Sequence, residues 1–150
     1  MSKKSNTAKI PSKAHWGKID KNDLDANWAY KQFFGKSFSE AERMFQENAL
    51  YYQEDLQSMP EIPFNFYVQA LEKYIVSERA KDDSDGASSF LAMVAWMLKT
   101  QQGIISKENR NKLISASAYI TNNQSFYDAD IDIYGKFEDR LKEINNYSKL

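Results

Sequence analysis

Residues 38–60 read FSEAERMFQENALYYQEDLQSMP, and this stretch decides the fold. Ser39 and Glu42 match a capping box, in which the Ser hydroxyl and the Glu carboxylate each satisfy a free amide of the first turn. Phe38, just before that cap, is placed to staple the chain against the helix. From there Ala41, Phe45, Ala49, Tyr52, Leu56 and Met59 recur at about 100° per residue, the period of one helix face. Pro60 stops the run, since it cannot donate the next backbone hydrogen bond. An amphipathic helix over residues 39–58 follows.

The same grammar extends in both directions. Upstream, Asn22 or Asp23 can cap a helix over residues 24–34, with Leu24, Trp28 and Phe33 or Phe34 as its apolar stripe and Gly35 as its left-handed stop. Downstream, Pro63 suits a helix start, because the first turn needs no amide from it. Tyr67, Ala70, Leu71, Tyr74 and Ile75 continue that helix, which fades near Ala80. Residues 87–102 are apolar nearly all round, as expected of a central helix touched on several sides. Leu113, Ala116 and Ile120 mark a fifth helix over residues 107–121, and Tyr134, Phe137, Leu141 and Ile144 a sixth. Residues 130–134 alternate in a way that also fits a short strand, without an evident partner for it. The expected architecture is all-α: a single compact domain of five to six helices, an irregular antiparallel bundle spanning residues 15–150, behind a flexible basic tail at residues 1–14.

Composition agrees and narrows the chemistry. The chain has 150 residues, the length of one domain. Aromatic residues reach 14%, and their burial can offset the entropy lost on folding. There is no cysteine and one histidine. Disulfides, thiolate catalysis and Cys-type metal sites are therefore excluded, and most His-based chemistry with them. Net charge is −1, and the tail holds Lys3, Lys4, Lys9 and Lys13 without an acid, so the body is mildly acidic. That disfavours nucleic acid, whose phosphates need clustered Lys and Arg. The longest apolar run, residues 90–98, is under half the ~20 residues of a membrane span, so no membrane association is expected. Without a signal-peptide pattern, the cytoplasm is the expected compartment.

Motifs for cofactors fail on inspection, and none is expected. Gly35-Lys36-Ser37 resembles the end of a phosphate loop, but Tyr30 stands where its first glycine belongs. In Asp82-Asp83-Ser84-Asp85-Gly86, a calcium-loop register puts Lys81 and Ala92 at ligand positions. In the run from Asp128 to Asp139, Ile133 occupies the turn glycine's place. His15 has no acidic orienter in view and no nucleophile elbow accompanies it.

One surface is better defined. On a straight helix Glu40, Met44, Glu47, Tyr51 and Asp55 form a stripe roughly 120° from the core face. Acids interleaved with Met and Tyr suit a basic protein partner, because Tyr offers contact area at low entropic cost. The leading expectation is a non-catalytic protein-binding domain, for instance an immunity or antitoxin-like protein whose target is a basic nuclease. The alternative is an enzyme or small-ligand domain built on carboxylates and tyrosine, with Glu47, Glu54 and Tyr51 as candidates.

Overall fold

A computed structural model describes residues 9–149. After one turn of helix, α1 (Lys13–Trp16), the chain forms α2 (Leu24–Phe33) and α3 (Phe38–Gln53). A 3-10 segment (Glu54–Ser58) leads to α4 (Glu61–Ile75), then α5 (Ser84–Thr100), α6 (Lys107–Thr121), a second single turn α7 (Ile131–Tyr134), and α8 (Phe137–Tyr147). There is no strand among the described residues. The six longer helices correspond to the six periodic segments of the sequence. Lys3 and Lys4 of the basic tail lie outside the described residues, Lys9 is exposed and Lys13 opens α1.

Helices α3, α4, α6 and α5 pack in a ring, each against the next, and α8 lies along the seam between α5 and α6. This explains the composition of α5: it faces α3 on one side, α6 on another and α8 outward. Phe90, Leu91, Met93, Val94, Met97 and Leu98 are all buried, and Trp96 alone of its large apolar residues stays exposed.

The α3 core stripe is as the spacing implies, with Ala41, Phe45, Ala49, Leu56 and Met59 buried and Tyr52 partly so. Its cap is two residues earlier. Ser37 is the cap: its hydroxyl accepts from Glu40 N (3.1 Å), and Glu40 Oε1 accepts from Ser37 N (2.8 Å). The sequence holds two overlapping Ser-x-x-Glu frames, and the one directly after Gly35, at φ +81°, fits the turn. Glu42, released from capping, is buried and pairs with Arg79 and, at 3.7 Å, with Lys73. Ser37→Ala is expected to cost about 1 kcal/mol in urea unfolding. Ser39→Ala should cost a few tenths at most, and equal losses would refute the assignment.

Three other expectations shift. In α2, Leu24 (77% exposed) and Trp28 (43%) face outward, and Ala29 and Phe33 are the buried pair. Helix α2 docks across the 3-10 segment and, through Phe33, against α3 and α4, which leaves its Leu24 and Trp28 side outward. Phe33 meets the rings of Phe45, Tyr52 and Tyr67 at 5.1–6.2 Å, which absorbs much of the aromatic surplus. Trp16 folds back to meet Tyr30 edge-on, and Tyr30 stacks on Phe34. Helix α4 begins at Glu61, with Pro63 as its third residue, still inside the turn that needs no amide. Tyr134 belongs to α7 and is cut off from α8 by Gly135 at φ +75°. The alternating Ile131 and Ile133 are exposed and form no strand.

Candidate functional site

Helix α3 is not straight. Asn48 leaves the helical region (φ −161°, ψ 80°), and its Oδ1 accepts from Tyr51 N at 3.1 Å. A short amide side chain competes for the backbone in this way and restarts the helix beyond itself. The kink divides the predicted stripe. Glu40 is committed to the cap, which holds its carboxyl below the usual range through the Ser37 backbone amide. Met44 packs partly against the core. Glu47 is exposed beside Arg79, Lys81 and Asp82, in a depression that neither Tyr51 nor Glu54 lines. The grouping of Glu47 with Glu54 and Tyr51 is therefore not brought together.

Tyr51 and Asp55, beyond the kink, do meet. The 3-10 segment tightens the chain after Gln53, and α2 crosses in front of it. Between them lies a pocket of about 330 Å³, lined by Asp25 and Trp28 of α2 and by Tyr51, Glu54, Asp55, Gln57 and Ser58. Asp55 is only 7% exposed, and its Oδ2 finds no hydrogen-bond partner among the described residues. Burial first, then the charges of Glu54 and Asp25, push its carboxyl up to about 6. The mouth carries aromatic rings: Tyr51 is 45% exposed and packs edge-on against Tyr52, and Lys31 Nζ already sits 5.3 Å from the Trp28 ring centre. A second hollow of about 290 Å³, with Leu50, Met93 and Trp96 in its walls, shares Glu54 and Gln57 with the first. Gln53 fixes this region to α5 by donating to Ser89 Oγ (2.6 Å) and Gly86 O (3.2 Å).

A separate groove of about 740 Å³ runs between α4 and α6 and ends at Phe38. Glu72, Lys73 and Lys112 are its charged lining, and Phe38, Val76, Ala116 and Tyr119 its apolar one. Glu72 is 7% exposed, and its Oε2 has no hydrogen-bond partner among the described residues. Burial pushes its carboxyl up to about 8, only partly opposed by Lys112, so it is protonated at neutral pH. Sequence reasoning passed over this residue. The available signal was an acid with valine at both helical neighbours, Val68 and Val76.

No three or more His, Asp or Glu side chains are grouped to hold a metal ion among the described residues. Asp130 instead caps α7, accepting from Asp132 N at 2.8 Å. His15 is exposed, and its Nδ1 accepts from Ser12 N at 3.0 Å. Among the described residues, no helix is long and apolar enough to cross a membrane. The chain matches no family model, no curated protein and no solved structure.

Proposed function

We propose that this chain is a non-catalytic, cytoplasmic protein-binding domain that takes a Lys or Arg side chain of a basic partner into the Asp55 pocket. The observation that carries the reading is one pocket whose lining combines three carboxylates, Asp25, Glu54 and Asp55, with the exposed rings of Trp28 and Tyr51. Carboxylates draw a cation in, and aromatic faces hold it once water is displaced. The neighbouring Leu50 and Trp96 add apolar area around the charged centre, the arrangement of a buried anchor with a surrounding rim. Asp55 Oδ2, without a hydrogen-bond partner among the described residues, gains a donor from the incoming side chain. An inhibitory protein of the immunity or antitoxin kind, facing a basic enzyme, is the concrete form this reading takes.

The test is titration calorimetry with short peptides that carry Arg, Lys or Gln at one central position. The Arg peptide is expected to bind, the Gln peptide to bind at least tenfold more weakly, and Asp55→Asn to lose roughly 30-fold, about 2 kcal/mol. Affinity should rise as pH passes upward through about 6, where Asp55 ionises. Equal binding of the Arg and Gln peptides ends the proposal.

A further inference from the structure

The groove of about 740 Å³ plays no part in that reading. We propose that the groove between α4 and α6 binds an amphiphilic organic acid, with its carboxylate at the Glu72 carboxyl between Lys73 and Lys112. Its apolar part lies among Phe38, Val76, Ala116 and Tyr119.

Size comes first. A volume of about 740 Å³ falls within the ~300–1,000 Å³ of small-molecule sites. The second observation is Glu72 itself, a buried carboxyl without a hydrogen-bond partner among the described residues. Such a group is costly to fold around, and a ligand that hydrogen-bonds to it relieves the cost. Charge then selects the ligand. With Glu72 protonated, the groove's remaining charged lining is two ammonium groups. A carboxylate is attracted by both and accepts the Glu72 proton in a charge-assisted hydrogen bond. An organic ammonium is repelled by both and must first ionise Glu72. An alcohol makes no use of either lysine.

The groups facing Glu72 set the pH response. They are Lys112 and Glu108 on α6, 3.4 Å apart, and Lys73 on α4, which is 3.7 Å from Glu42 of α3. The proton lost near pH 8 is the one on Glu72. An ionised Glu72 repels a second carboxylate. Binding should therefore fall about tenfold between pH 6.5 and pH 9.0.

Calorimetric titration of the full chain with octanoate, octylammonium and 1-octanol at those two pH values tests the site. Octanoate is expected to bind saturably and most tightly at pH 6.5, and tenfold more weakly at pH 9.0. Glu72→Gln, which keeps a donor and cannot ionise, should bind octanoate alike at both pH values. Val76→Trp, at an exposed residue of the groove, should block binding without disturbing the core. The proposal is overturned if octanoate shows no saturable binding to the folded wild type at pH 6.5, or if octylammonium or 1-octanol binds as tightly. Undiminished binding to Val76→Trp, or a pH dependence that survives in Glu72→Gln, overturns it equally. The Asp55 pocket is untouched by these variants, so its peptide binding stands or falls separately.

Discussion

A double variant, Asp55→Asn with Glu72→Gln, is expected to be more stable than the wild type at pH 8 and to lose the wild type's pH dependence between pH 5 and pH 8. The folded carboxyls titrate near 6 and 8, above their ordinary values of 3.8 and 4.5. Across that interval the native state holds protons that the unfolded chain has released; stability is full only below the ordinary values of 3.8 and 4.5 and is lost as pH rises through the folded ones. At about 1.4 kcal/mol per tenfold change, the cost at pH 8 is a few kcal/mol for the deeply buried Glu72 and less for Asp55, which solvent partly screens. The unmet hydrogen bonds of the new amides offset part of the gain. The two residues sit in different pockets with no shared partner, so their effects should add. Urea unfolding at several pH values reads this directly. A wild-type stability that is flat or rising from pH 5 to pH 8 contradicts the burial of both groups. Below that range Glu40 acts in the opposite sense, since its capping carboxylate is lost as it protonates.

The second large effect is expected at Phe33. Phe33→Ala should cost about 3–5 kcal/mol, the range for removing a fully buried aromatic ring. This ring touches Phe45 and Tyr52 of α3 and Tyr67 of α4, and so ties α2 to the rest of the molecule. The Tyr67 hydroxyl lies 2.8 Å from Phe33 O and 2.7 Å from Lys36 O, holding the end of the same helix. Loosening α2 withdraws Asp25 and Trp28 from the Asp55 pocket. Peptide binding should therefore fall together with stability. Tyr51→Ala, at a half-exposed ring, should weaken binding with little change in unfolding. If Phe33→Ala loses stability yet binds the Arg peptide normally, α2 is not a wall of the site.

What could be read from the chain in advance differs between the fold and the sites. Helix α6 runs from Lys107 to Thr121 as its spacing implied, because Ser106 caps it and its buried residues keep one strict period. Helix α2 was harder: Leu24 and Trp28 look like core on a helical projection, and only the helix's docking partner turned them outward. Tyr51 and Asp55 stood in the predicted stripe, but the kink at Asn48 separated them from Glu40 and Glu47. A single asparagine inside a helical pattern does not announce that its side chain will take over a backbone amide.

Periodic apolar residues, capping serines and the placing of Gly and Pro determined the helices, since those signals act over one or two turns. Scarcity of histidine and cysteine likewise narrowed the chemistry. Which acids are buried was decided only by tertiary packing. Glu72 and Asp55 owe their raised titration to neighbouring helices that exclude water, and desolvation depends on what arrives from distant parts of the chain.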